Sequence, residues 1–378
     1  RALLAAACFL TLLYILARSH TSSPETKSIV AEALEAAASD SAETQTTSST
    51  GKYVPSKPKK SQSGQRVIAD LSRYSLRDKL AYQFPYDVET KFPAYIWQTW
   101  KYTPASGYFD DKFRAAEATW TEQHPGFVHE VITDDVAVHL LRYLYASVPE
   151  VLEAYKTLPV PVLKADFFRY LILLARGGIY SDIDTYAIQS AVNWLPRGIP
   201  QEALGLVIGI EADPDRPDWA DWYSRRIQFC QWTIQSKPGH PVLREIVARI
   251  TTETLKRKRE GTLGKDSHGV VEFTGPALWT DVIFEFFNDP KYFDVSSSKS
   301  NITWREFTGM TSPKKVGDVV VLPITSFSPG VGQMGAGDYD DPMAFVKHDF
   351  EGTWKPEEER HIGEIVEQPA EPEHLVEN

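Results

Sequence analysis

The sequence predicts an α/β domain built on a mixed, mostly parallel sheet flanked by helices. Two observations carry that reading. Short apolar runs alternate with helical segments in a β-α-β-α rhythm from Tyr95 to Tyr145. Further on, Lys164 to Thr185 reads as a helix, a glycine break, a short buried strand and two carboxylates at the strand's end. With 378 residues, 42% hydrophobic and 12% aromatic, the chain has enough apolar surface for a large core, expected as one domain with tails. Its net charge of −11 disfavours a nucleic-acid partner, which needs a basic surface. Two cysteines, Cys8 and Cys230, allow neither a disulfide framework nor a thiolate metal site.

Ala2 to Ala17 is almost wholly apolar between Arg1 and Arg18. That is short for a bilayer span, which needs about 20 residues. No Ala-x-Ala pattern precedes His20, so residues 1–18 are expected to be an uncleaved signal anchor, truncated at its start since no initiator methionine is present. Residues 19–66 are rich in Ser, Thr, Ala, Glu and Lys, and cannot bury enough surface to offset ordering entropy; they predict a disordered stem. The folded domain is expected over 67–356, followed by an acidic disordered tail at 357–378.

Within the domain, Leu71 to Tyr86 predicts a short amphipathic helix and Tyr95 to Gln98 the first strand. Trp97 and Trp100 at its end either stack on a nucleobase or fill the core and rim. Asp110 to Trp120 suits a helix and Phe127 to Ile132 a second strand; Thr133-Asp134-Asp135 then caps a helix through Tyr145, with His139 structural. Pro161 suits a first helical turn, and Gly177-Gly178 a left-handed stop. Asp166 and Arg169, three apart, share one face of that helix. Ile179-Tyr180 is the short strand that delivers Ser181-Asp182-Ile183-Asp184 to the carboxyl end of the sheet, where open α/β sheets place ligands.

Leu204 to Ile210 predicts a strand, and the acidic, aromatic run Glu211 to Tyr223 a loop that faces a sugar or lies on the surface. Val242 to Thr254 is a helix whose basic end, Lys256 to Arg259, complements the helix dipole. Phe273-Thr-Gly-Pro276 opens a helix over Ala277 to Phe287, and Val316 to Ile324 forms a strand. Asn301-Ile-Thr303 is a glycosylation sequon, usable only in the secretory lumen. Gly330-Val-Gly-Gln-Met-Gly335 matches a dinucleotide fingerprint as a string, but it is detached from the preceding strand, and Asp338 to Pro342 cannot open a helix; a Rossmann site is rejected.

An Asp-x-Asp at a strand end seats a hard divalent cation, since carboxylate oxygens suit magnesium or manganese and the same ion can hold a diphosphate. Alone the motif is common in solvated loops. Combined as Asp-x-x-Arg, Gly-Gly-x-Tyr and Asp-x-Asp, it resembles the DxD sugar-binding glycosyltransferases of family 32, most closely the fungal initiation-specific α-1,6-mannosyltransferases of the Golgi. Ile96-Trp97-Gln98-Thr99-Trp100-Lys101, Pro238-Gly-His-Pro241, Thr274-Gly-Pro276, and His348 with Trp354 support the resemblance, which covers roughly residues 92 to 356.

The resemblance implies a GT-A-type nucleotide-sugar transferase fold in a single catalytic domain. It implies retaining, metal-dependent transfer of mannose from GDP-mannose to a mannose hydroxyl of a high-mannose N-glycan. Asp182 and Asp184 would hold Mn2+ (or Mg2+), with His348 a further candidate ligand; Arg169 and Asp166 join the two aspartates as catalytic candidates. Trp97, Gln98, Asp166, Arg169, Tyr180, Ser181, Asp182, Gln231 and Trp354 are the donor-binding candidates. Asp349 stands where relatives often carry a second aromatic. The implied setting is the Golgi membrane, single-pass type II, with a lumenal catalytic domain and a mannosyltransferase complex as partner. Rivals are a mannosyltransferase acting on inositol phosphoceramide, a sugar hydrolase, and a non-catalytic carbohydrate-binding subunit of a Golgi mannan-synthesis complex. Lipid-directed relatives usually carry further apolar spans near the C-terminus, which this sequence lacks.

Overall fold

A computed structural model describes residues 73–195, 200–214, 216–221, 223–264, 269–293, 300–332 and 334–352. The expected anchor, stem and tail, and Trp354, lie outside the described residues.

In chain order the elements are α1 (Leu76–Gln83), β1 (Tyr95–Thr99), α2 (Asp111–Gln123), β2 (Val128–Ile132), α3 (Asp134–Leu144), α4 (Pro149–Thr157) and α5 (Pro161–Arg176). There follow β3 (Gly178–Ser181), β4 (Thr185–Ala187), β5 (Leu206–Ala212), β6 (Gln228–Phe229), β7 (Thr233–Ser236), α6 (Pro241–Glu260), α7 (Val270–Phe273) and α8 (Pro276–Phe287). The last are β8 (Lys314–Val316), β9 (Val319–Leu322), α9 (Ile324–Phe327) and β10 (Val346–His348).

The main sheet has eight strands in the order β2-β1-β3-β7-β5-β9-β8, with β6 beside β5. Strands β1, β2, β3, β5 and β9 share one direction; β6, β7 and β8 oppose it. The sheet is therefore mixed and mostly parallel, with helices on its faces, as the sequence predicts. A second, two-stranded sheet pairs β10 antiparallel to β4, setting His348 opposite Thr185.

Strand residues alternate between two cores. Trp97, Tyr180, Ile208 and Val321 enter the larger one with α3, α4, α5, α6 and α8. Their neighbours Ile96, Ile179, Val207 and Val320 enter the smaller one with Trp120, Trp194, Trp232 and Phe327. Burial on both faces is why β5 and β9 read as nearly unbroken apolar runs.

Four differences from the sequence reading have plain causes. The helix expected from Leu71 begins at Leu76, where Ser75 accepts a hydrogen bond from the Asp78 amide. Thr133 is the N-cap of α3, but its side chain makes no capping bond. Helix α4 was not anticipated, although Val151, Ala154 and Tyr155 are buried at helical spacing. Val316 to Ile324 is not one strand: Gly317, at φ 61°, turns the chain between β8 and β9, which pair antiparallel. The described residues of the rejected fingerprint lie among turns, with no helix after them among the described residues, and a side chain at Gly330 would collide with the Tyr339 ring at 2.4 Å.

Outside the sheet, Glu245 on α6 ties α1 to the core. Arg77 donates to both its oxygens at 2.6 and 2.7 Å, and Arg249 donates at 2.7 Å. Burial alone would raise this carboxyl, but the two guanidinium groups outweigh it and hold the value down to about 2. Because the folded value lies below the unfolded one, the contribution is present above about pH 4.5 and is lost as the pH falls toward 2. Discounted for the exposed Arg77, its size is about 1–2 kcal/mol. Glu245→Gln should therefore lower urea-unfolding stability by that amount at pH 7 and leave it unchanged near pH 2; equal losses at both pH values would contradict the assignment.

Candidate active site

The site begins with α5. Pro161 occupies its first turn, and ten of its residues from Leu163 to Leu174, Asp166 and Arg169 among them, are buried. Its stop is obligatory glycine: Gly177 and Gly178 have φ of 64° and 95°. A Cβ on Gly178 would sit 2.6 Å from the Tyr95 carbonyl oxygen, and one on Gly177 would sit 2.7 Å from that of Ser236. The pair thus lets β3 run straight from the helix into the gap between β1 and β7, and Asp182 emerges at its carboxyl end.

One guanidinium then organises the aspartates. Arg169 lies 3.0 Å from Asp166 through Nη1 and 3.0 Å from Asp182 through Nη2, over the Tyr180 ring. Asp166 also accepts from Gln231 Nε2 at 3.2 Å and from Thr274 Oγ1 at 2.8 Å, while Tyr170 donates to Gln231 Oε1. Asp182 accepts from the Tyr180 hydroxyl at 2.9 Å. Its main chain is held as firmly: Gln98 Nε2 and Thr185 Oγ1 donate to its carbonyl, and its amide donates to Trp232 O. His129 in turn contacts Gln98 Oε1 at 2.9 Å. Burial raises the Asp166 and Asp182 carboxyls despite the neighbouring Arg169 charge.

Asp184 belongs to the second sheet's end of the site. His348 Nε2 stands 3.3 Å from its Oδ1, and the Glu351 amide donates to its Oδ2. Burial opposes charge on His348, but the Asp184 and Asp182 carboxylates outweigh it and hold the imidazole above its ordinary value; the same contact lowers Asp184 against the effect of burial. Trp232 and Phe350 both pack on the imidazole, tilted, with ring centroids at 4.4 and 4.1 Å, and meet each other edge-on at 6.0 Å. Oxygens of Asp182 and Asp184 and a ring nitrogen of His348 all lie within 4.8 Å of one another. Two hard carboxylates and one imidazole, preheld by backbone amides and aromatic rings, are a donor set that fits manganese or magnesium.

Several residues expected to face a ligand are instead supports. Trp97 is 7% exposed, stacks on Tyr95 and donates Nε1–H to the Gly177 carbonyl, so its ring cannot receive a base. Gln98, Tyr180 and Ser181 are fully buried; the first two hold Asp182, and the Ser181 hydroxyl bonds Thr185 and Thr233. Both ends of the Gln231 amide are engaged, and Asp166 is 2% exposed. These side chains shape the site from behind. Thr274, Thr185 and Trp232 were missed as site residues; the Thr274-Gly-Pro276 motif was visible, but the hydroxyl's target, Asp166, lies 108 residues away.

The family described as "Glycosyltransferase sugar-binding region containing DXD motif" matches residues 110–199. Among curated relatives, the initiation-specific alpha-1,6-mannosyltransferase of Candida albicans is 50% identical over 74% of this chain and 77% of its own length. Its counterpart in Schizosaccharomyces pombe is 46% identical over 74% and 67%, and that in Saccharomyces cerevisiae 36% over 77% and 84%.

Arg169 is the test of this geometry. Lysine carries the charge but cannot span both carboxylates, and breaking a buried pair costs about 3 kcal/mol. Arg169→Lys should lose several degrees in Tm as well as turnover. An unchanged melting curve would show that the bridge between Asp166 and Asp182 is not structural.

Proposed function

The chain belongs to the DXD-motif glycosyltransferases, and from that premise we propose that it transfers mannose from GDP-mannose to a mannose hydroxyl of an N-linked glycan, in α-1,6 linkage and with retention. The observation that carries the proposal is the meeting of Asp182, Asp184 and His348 from two separate sheets at one point. Sugar and linkage are supported by the names of relatives that share a third to a half of their residues over most of the domain.

In the transfer, the bond from the mannosyl C1 to the diphosphate oxygen breaks, a bond from C1 to the acceptor oxygen forms, the acceptor's proton leaves and GDP departs. Manganese bound at Asp182, Asp184 and His348 would supply Lewis-acid neutralisation of the diphosphate. Arg169 keeps Asp182 in place, because its ion pair with that residue, the Tyr180 hydroxyl and the Gln98 amide fix both the side chain and the carbonyl of Asp182. Asp166 takes the other side of the guanidinium and is satisfied by neutral donors, so the charge of Arg169 is divided between two carboxylates. The Trp232 and Phe350 rings hold the His348 imidazole toward Asp184. Preorganisation of this kind costs no reorganisation when charge develops on the leaving group.

The cellular setting proposed is the Golgi membrane, type II, with the catalytic domain lumenal. The apolar run at 1–18 and the sequon at Asn301, whose side chain is exposed, support it.

Purified full-length protein in detergent, offered a panel of nucleotide sugars and a high-mannose glycan, should use GDP-mannose with Mn2+ and give a product cleaved by an α-1,6-specific mannosidase. Asp184→Ala should lower turnover by about 100-fold or more, the loss seen on removing one transition-state stabiliser. Full activity of that variant, or a preference for another donor, would contradict the reading.

A further inference from the structure

Beside the cluster lies a carboxylate that the reaction above does not use. On β5, Ile210 pairs with Phe229 and Ala212 with Gln228, so Glu211 is the extra residue of a β-bulge. Bulges re-aim a side chain and gather next to active sites. Glu211 is partly exposed, and its Oε2 accepts from Gln228 Nε2 at 3.0 Å. The Trp232 indole N–H, which is buried and has no partner in hydrogen-bond geometry, approaches the same carboxylate. No salt bridge reaches Glu211 among the described residues, and the Trp232 ring beside it packs on His348 with centroids 4.4 Å apart. It stands outside the three-residue cluster.

The second feature is Phe350. It has φ 50°, one of two non-glycine residues with positive φ among those described, and it is 40% exposed. Its ring packs on His348 at 4.1 Å and edge-on to Trp232 at 6.0 Å. Backbone strain that places an exposed aromatic at a cleft is a mark of function, since folding alone would favour glycine there.

We propose that Glu211, beside the Trp232 indole N–H, and Phe350, against the Trp232 and His348 rings, form a subsite for a neutral hexose, the carboxylate accepting a hydroxyl hydrogen and the aromatic face packing on the ring's C–H surface. The ligand class follows from charge and shape. With only neutral N–H donors beside it among the described residues, the Glu211 carboxylate repels phosphate, so the diphosphate is not the occupant. A partly exposed acceptor held only by neutral N–H donors, beside an exposed ring, suits a hydroxylated ring that is apolar on one face. The sugar could belong to donor or acceptor, and the identity of the hexose as mannose rests on the function proposed above.

The test is a titration of the full-length protein, free of metal and nucleotide, with methyl α-mannoside, followed by tryptophan fluorescence. Wild type should bind saturably. Glu211→Gln should raise Kd about 10- to 100-fold, the cost of losing a hydrogen bond to a charged group. Phe350→Gly should raise Kd by about 10-fold while keeping or raising Tm, because glycine relieves the positive φ. Wild-type affinity in both variants, or no saturable binding by wild type up to the sugar's solubility limit, overturns the subsite. Kinetics of the same variants then assign the source: a raised KM for the glycan alone makes it the acceptor subsite, whereas a parallel loss of donor hydrolysis makes it the donor subsite. If wild type binds the mannoside but transfers from no nucleotide sugar, the proposed function fails and the subsite stands; if it transfers while both variants bind normally, the reverse holds.

Discussion

The site depends on one buried guanidinium shared by two carboxylates, Asp166 buried and Asp182 partly exposed. Asp166 sits within α5 and Asp182 at the end of β3; Asp166 could not remain ionised in the core without Arg169, which also pairs with the partly exposed Asp182. Two negative charges against one positive leave an excess that is spread over neutral donors: Gln231 and Thr274 on Asp166, and Tyr180 on Asp182. The arrangement is rigid because each partner has a second contact of its own, as Gln231 has with Tyr170 and Gln98 with His129. A loop aspartate is thereby given the precision of a core residue.

The second constraint is topological. Asp184 and His348 come from a small sheet that the main one does not contain, and β10 reaches β4 only after the chain has completed every other described element. The segment after β10 closes the arrangement: the Asp349 amide donates to the Asp184 carbonyl, the Glu351 amide donates to the Asp184 carboxylate, and Glu351 pairs with Lys112 on α2. The candidate metal ligands are thus fixed by contacts from both ends of the domain.

What could be read from the sequence was what is encoded locally. Helix α5, its glycine stop and the Asp-x-Asp at the strand end all follow from residues within one short stretch, and the structure places them as the spacing predicts. Residue exposure was not legible in the same way. Strand alternation assigns Trp97 and Gln98 to opposite faces, yet both faces of β1 are covered, so residues that look like ligand contacts in the motif are supports. Strand β7, Thr233–Ser236, carries two hydroxyl residues and a glutamine, and nothing local marks it as the antiparallel centre of a sheet. The pairing of His348 with Asp184 is long-range and came into view only through resemblance. Trp232 carried no motif at all, and Glu211, read as the start of a loop that faces a sugar or lies on the surface, is instead the bulged residue near the end of β5; a ring contact and a bulge reveal them.

The central claim is that Asp182, Asp184 and His348 are one metal site. Electron spin echo spectroscopy of the Mn2+-loaded protein reads this directly, because a coordinated imidazole nitrogen modulates the echo. The account predicts nitrogen modulation in the wild type that His348→Gln abolishes and that Asp184→Ala weakens together with Mn2+ affinity. Tight Mn2+ binding without nitrogen modulation, or modulation that survives in His348→Gln, would contradict it.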